Sequence, residues 1–300
     1  MHFTADQIKA VSLGFGKNEI CAMVADSLNK YGEQYQVDTP MRAKHFLGQC
    51  CIESNFYRSL EESLYYSTPQ RLMAVWPSRF KTVAAAQPYA KNPQKLANFV
   101  YGGRMGNNGP NDGWLYRGSS IKQLTGKENV TNFNEWIHER YPNAPDFIQY
   151  PDLLRTLEWA VWPAFYYWTA ANCAFYADRD DAKGLTRAIN GGLIGYADRV
   201  KATAVAAKVL NVRTDPVVTK TPPKTPDPLL KEMQGKMKAL SIKLKRPEFD
   251  PGSADGWNGP NTEKAVKAIQ AATRIIVDGK CGPNTRKAIN MLCEKYGIPR

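Results

Sequence analysis

Residues 46–62 read FLGQCCIESNFYRSLEE, and the meaning of the chain turns on this stretch. Ala43, Phe46, Leu47 and Cys50 recur at the three- and four-residue steps of an amphipathic helix. Glu53 lies three residues after Cys50 and seven after Phe46, so it falls on the same apolar face. A carboxylate in that position must be paired, protonated or lining a cleft. Ser54-Asn55 closes the helical pattern, and a polar turn leads to Glu61-Glu62. A desolvated carboxylic acid near a second, wetter carboxylate is the pair that glycosidic hydrolysis uses. Most Glu pairs at this spacing are unrelated surface charges, so the rest of the chain has to decide.

The chain has 300 residues, 43% hydrophobic and 11% aromatic, enough for about two packed domains. The formal net charge of +12 is uneven. Residues 229–300 carry 14 Lys/Arg against 7 Asp/Glu, whereas residues 1–212 carry 23 against 19. The basic C-terminal quarter would attract a polyanion, whether nucleic acid, anionic lipid or an anionic cell wall, and a Lys-rich solubilising surface fits it at least as well. The six cysteines show no CxxC spacing, and the three histidines are scattered at 2, 45 and 138. Neither a metal site nor a disulfide framework is expected, and no cofactor is called for. Buried thiols from a reducing compartment are the expectation. MHFTADQIKAV has no basic start followed by an apolar run, so no signal peptide is visible. The most apolar stretch, 159–175, is interrupted by Pro163 and Asn172, which suits a core helix better than a membrane span.

In chain order, Thr4 is a candidate N-cap, residues 17–31 a second helix, and Pro40 the start of the helix that reaches Glu53. Residues 68–100 read as helices broken by Pro69, Pro77, Pro88 and Pro93. Residues 102–113 are loop-like, and 114–118 and 121–124 are expected to be short strands. Helices are expected again at 129–138, 152–176 and 197–210. Residues 213–228, RTDPVVTKTPPKTPDP, read as a semi-rigid linker. Beyond it DGWNGPNT at 255–262 returns as DGKCGPNT at 278–285, each copy before a helical run, with Asn-Thr expected to cap it.

The paired DGxxGPNT motifs resemble the peptidoglycan-binding domain attached to many cell-wall hydrolases, covering residues 229–300 and resting on Asp255, Gly256, Trp257, Asp278 and Gly279. The larger part resembles glycoside hydrolase family 19, the chitinase-like family, in the form used by bacteriophage endolysins. The matching pieces, in family order, are FLGQCCIES (46–54), LEESLYYS (60–67), VYGGRMGN (100–107), DGWLYRG (112–118), QLTGKEN (123–129) and AINGG (188–192). The resemblance implies a mainly α, lysozyme-like catalytic domain over residues 1–212 with a small β element, then a linker at 213–228 and a small three-helix domain at 229–300. It implies Glu53 as general acid, protonated because desolvated, Glu62 as general base, and Thr125 holding the attacking water. Gln123, Asn129 and Asn190 match sugar-binding positions, and Tyr101 and Arg199 are further carry-overs. Trp114, between Gly and Leu-Tyr, is a candidate for sugar stacking. The chain departs from the family pattern at Ile52, where His is usual, at Ser119-Ser120, where Arg-Gly is usual, and at Val130, where Tyr is common.

The function implied is an endolysin that hydrolyses the β-1,4 bonds of peptidoglycan with inversion. That chemistry calls for carboxyl groups roughly 6.5–9.5 Å apart. Peptidoglycan is the expected partner, with no nucleic acid, no membrane insertion and a monomeric state. Host cytoplasm, followed by release to the wall through a separate pore, is the expected location. A chitinase of the same fold and a non-enzymatic wall-binding phage protein are the competing readings.

Overall fold

The computed structural model describes residues 1–212 and 227–298, apart from 257, 274, 276 and 278. The expected Trp257 and Asp278 positions, and the linker up to residue 226, lie outside the described residues. Helices dominate, as expected: α1 (Ala5–Val11), α2 (Asn18–Tyr31), α3 (Pro40–Glu53), α4 (Pro69–Val75), α5 (Val83–Ala86), α6 (Pro93–Tyr101), α7 (Asp112–Leu115), α8 (Lys127–His138), α9 (Trp162–Ala170), α10 (Cys173–Ala177), α11 (Ala182–Asn190), α12 (Tyr196–Val209), α13 (Pro228–Leu244), α14 (Pro260–Ala272) and α15 (Pro283–Lys295). They form two compact units, one of residues 1–169 with 197–212 and one of 170–196 with 213–300. Residues 170–196, read in sequence with the first domain, group with the C-terminal module.

In the first unit the helix starts are fixed by short polar side chains. The hydroxyls of Thr4, Thr39, Thr68 and Thr82 and the amide oxygen of Asn92 accept the N–H of the residue three places on. Pro40, Pro69 and Pro93 stand in the first turn, where a missing N–H costs nothing, so Pro69 and Pro93 begin helices rather than break them. The central helix is α3, buried from Ala43 through Cys51. Its Phe46 stacks on Phe165 at 5.5 Å and meets Trp168 edge-on at 5.4 Å. Gly48 is required there, because an added Cβ would lie 2.8 Å from the Thr203 backbone. A second cluster, Leu64, Leu72, Phe80, Ala86, Leu96, Ala97 and Val100, packs α4–α6 and carries Tyr101 and Trp114 on its margin.

The two expected strands are not strands. Residues 112–115 form the short helix α7, and among the described residues the β structure is two isolated antiparallel bridges, Glu61 with Ser119 and Ser119 with Leu124. The helix expected over 152–176 is a 3₁₀ turn at Pro151–Arg155, then α9 and α10, parted by Asn172 in the left-handed conformation at φ 49°.

The second unit repeats one device. Gln234 of α13 accepts the Gly256 N–H at 2.6 Å and donates to the Thr262 hydroxyl at 2.8 Å. Gln270 of α14 accepts the Gly279 N–H at 2.9 Å and donates to the Thr285 hydroxyl at 2.9 Å. Each buried Gln ties the glycine of its repeat, Gly256 or Gly279, to the first turn of the helix that follows. The Asn-Thr pairs therefore sit inside α14 and α15 rather than capping them. The N-caps are Gly259 and Gly282, without a side-chain cap bond. The core joins Met233, Met237, Leu240, Phe249, Val266, Ile269 and Ile289. All six cysteines are free thiols, and all but the half-buried Cys281 are buried.

Candidate active site

Glu53 is the last residue of α3, with Ser54 as C-cap. Its Oε1 accepts the Arg199 Nη2 at 2.7 Å and lies 3.3 Å from Lys122 Nζ. The three side chains are only 13%, 8% and 9% exposed. Arg199, from α12, is also held by the Gln49 side-chain oxygen at 2.7 Å, one turn before Glu53. The Lys122 ammonium stands 4.6 Å over the Tyr167 ring. Burial pushes the Glu53 carboxyl up, but Lys122 and Arg199 outweigh it and hold it below the usual carboxylate range. The expectation that desolvation keeps Glu53 protonated is thereby corrected for the free site: the two cations keep it ionised.

The bridges 61–119 and 119–124 set the other half of the site. Glu62 N–H donates to the Gly118 carbonyl at 2.8 Å, and Ser120 N–H to the Leu60 carbonyl at 2.7 Å. In extended backbone, successive side chains point to opposite faces. Glu61 turns to Arg117 at 2.8 Å and Arg155 at 3.6 Å. Glu62 turns to Tyr101, whose hydroxyl donates to Oε1 at 2.7 Å, while the Gly118 N–H reaches Oε2 at 3.3 Å. Burial pushes the Glu62 carboxyl up, and the Tyr101 and Gly118 hydrogen bonds with the nearby Arg117 only partly offset it. Burial, and then the same carboxylate, drives the Tyr101 phenol upward. A side chain at Gly118 would displace the Gln123 amide and press on Glu62: a Cβ would stand 2.5 Å from Gln123 Oε1 and 3.0 Å from Glu62 Cβ.

Thr125 follows the bridge at Leu124, and its hydroxyl donates to the Gln123 carbonyl at 3.0 Å. Asn129, one turn into α8, donates to the Thr125 carbonyl at 2.7 Å. Gln123 sits at φ 56°, and its amide donates to the Ser120 carbonyl at 3.3 Å. Trp114 is half-buried with the Arg117 guanidinium 3.8 Å from its ring centre, so a cation takes up its π surface. Buried Asn107 ties the pieces together, donating to the Tyr101 carbonyl at 3.1 Å and accepting the Lys127 N–H at 2.9 Å. Asn190 ends α11 in the second unit, ahead of Gly191 in the left-handed conformation.

The first unit thus brings Glu53, Glu62, Tyr101, Gln123, Thr125, Asn129 and Arg199 into one linked set of contacts. Two of the expected sugar ligands, Tyr101 and Arg199, hold the carboxylates. Reasoning on the sequence missed Lys122, Gln49 and Tyr167. A lysine between the apolar Ile121 and Leu124 was the available signal for the first.

Residues 234–289 match the family model described as "Putative peptidoglycan binding domain". A Haemophilus influenzae protein described as "Glycosyl hydrolase family 19 domain-containing protein" is 33% identical over 163 residues, which are 54% of this chain and 76% of that protein. At 33% identity, with 76% of that protein matched, the chain belongs to glycosyl hydrolase family 19.

Proposed function

We propose that the chain hydrolyses β-1,4-glycosidic bonds of bacterial peptidoglycan, with inversion, using Glu53 and Glu62 as its two carboxyl groups, and that it serves as a bacteriophage endolysin. The observation that carries the reading is a pair of half-buried carboxyls whose surroundings push their proton affinities apart, joined in one chain to a wall-binding module. That divergence favours a proton on one carboxyl, for the leaving oxygen, and leaves the other to take one from water. Thr125 suits water positioning: its proton is committed to the Gln123 carbonyl, so its lone pairs can accept a hydrogen of the water. The chain acts on the wall as a monomer, and accumulates in the host cytoplasm until a separate pore releases it. Among the described residues no helix is long and apolar enough to cross a membrane.

Family resemblance makes Glu53 the acid and Glu62 the base. For that assignment a bound sugar must cover the open edge of Glu53 and raise its proton affinity. The cations on Glu53 favour a second reading, in which Glu62 donates and Glu53 activates water. Two substitutions separate the two. Glu53→Gln and Glu62→Gln should each lower lysis of purified sacculi by about 10²–10⁴-fold. The variant that lacks the acid should keep activity on an aryl glycoside whose leaving group needs no proton. The variant that lacks the base should be rescued by azide, giving an inverted glycosyl azide. Mass spectrometry of released muropeptides identifies the bond cut, and soluble chitin oligomers test the chitinase alternative. Near-full lysis by a folded Glu62→Gln protein would refute the two-carboxylate reading.

A further inference from the structure

Lys122 is an ion-pair partner of Glu53 that neither the sequence reading nor the family pattern assigns. It reaches the carboxylate from the turn between Ser120 and Gln123, whereas Arg199 comes from α12. Both cations approach the same oxygen, Oε1. Among the described residues no hydrogen bond or ion pair reaches Oε2, and the side chain keeps 13% of its surface open. The Lys122 stem is anchored: its N–H donates to the Ser120 hydroxyl at 3.1 Å, and its ammonium lies over the Tyr167 ring. Its neighbours in sequence, Ile121 and Leu124, are fully buried and fix the turn. A lysine held this firmly with 9% exposure has lost most of its water, and the Glu53 carboxylate replaces it.

We propose that Lys122 is a positioning residue for the reaction: with Arg199 it clamps Oε1 of Glu53, fixes the carboxylate plane and leaves Oε2 for the sugar or the water. The proposal rests on the reading of Glu53 and Glu62 as the reacting pair, but it holds whichever of them donates the proton. The groups that bear on Glu53 are Lys122, Arg199 and the Tyr167 phenol; those that bear on Glu62 are Tyr101, Tyr66, Arg117 and the Gly118 N–H. One cation beside a carboxylate typically shifts its titration by about 1–3 pH units. Removing Lys122 therefore raises the Glu53 titration and leaves that of Glu62 in place.

The test is Lys122→Met, which keeps the stem over Tyr167 without the charge, with Lys122→Arg as the conservative control. Two readouts are needed. The first is the pH profile of kcat/KM, in which the acid limb belongs to Glu53 and the alkaline limb to Glu62. In Lys122→Met the acid limb should move up by about one pH unit or more, the alkaline limb should stay, and Lys122→Arg should restore the original profile. The direction of the rate change at the optimum adds a discrimination. If Glu53 is the base, the rate falls; if Glu53 is the acid, the rate rises, because more of it is protonated. The second readout is the carboxyl ¹³C titration of Glu53 in labelled full-length protein, which requires no turnover. An unmoved Glu53 titration in a folded Lys122→Met protein overturns the proposal, even where Glu53→Gln abolishes lysis and the two-carboxylate reading stands. Full lysis by Glu53→Gln instead removes the reading while the NMR result still reports on Lys122.

Discussion

At the scale of single residues, the two glutamates differ less in position than in company. Glu53 meets an ammonium and a guanidinium; Glu62 meets a phenol and a peptide N–H. The Tyr101 bond stabilises the ionised form of Glu62, so its loss must raise the proton affinity of that carboxyl. Tyr101→Phe should therefore move the alkaline limb of kcat/KM to higher pH and leave the acid limb where it is. An unmoved alkaline limb would detach Tyr101 from the reaction. Glu53 itself was legible in the sequence, because a carboxylate on an apolar helix face has few explanations. Its protonation was not. Arg199 lies 146 positions away, and Lys122 arrives through a turn, so local patterns carry no trace of either contact.

Elements tell a similar story of visible starts and hidden joints. Helix starts at Thr4 and Pro40 could be read directly, because capping and first-turn proline are local chemistry. The β element could not, since three residues in two bridges give no run of alternation to detect. Yet those bridges decide that Glu62, rather than Glu61, faces Tyr101. In the second unit the DGxxGPNT repeat was plain, whereas the glutamines that organise it lie on neighbouring helices, 36 residues apart and outside the motif. Gln270→Leu would strand the Gly279 N–H, while the Thr285 hydroxyl keeps its bond to the Lys280 carbonyl at 2.9 Å, and an unsatisfied buried group costs about 1–3 kcal/mol. Thermal unfolding followed by circular dichroism should show that loss, and the same substitution at Gln234 should also lower the melting temperature, because each glutamine accepts a glycine N–H and donates to a threonine hydroxyl. A neutral Gln270→Leu would mean that the turns hold their own shape.

For the whole molecule, the boundary read at residue 212 and the observed division diverge in a way that matters for truncation. Residues 170–196 belong with the C-terminal module: Asn172 donates to Asp227 at 3.4 Å, and an added Cβ at Gly191 would stand 3.3 Å from Lys280 Nζ. A chain ended after Val212 keeps every contact described around Glu53 and Glu62 but strips α10 and α11 of their partners. It should melt at a lower temperature than the full chain, lose retention on sacculi, and keep most of its rate on soluble glycan fragments below that melting point. Sedimentation with sacculi at low and high salt measures the first loss, and the basic charge of residues 229–300 should make wall retention by the full chain salt-sensitive. Equal sedimentation of both chains would remove the module from wall binding.

The buried thiols have a consequence for handling and for measurement. Cys21, Cys50 and Cys51 lie in one unit and Cys173, Cys281 and Cys293 in the other. Burial pushes Cys51 and Cys281 up to about 12, and Cys21 and Cys293 upward as well. Alkylating reagents attack the thiolate, so these four should stay silent in the native protein at neutral pH. Each unit then carries its own chemical clock. Pulse alkylation across a denaturant series, read by peptide mass spectrometry, should date the opening of the catalytic unit and of the wall-binding unit separately, without adding a single label.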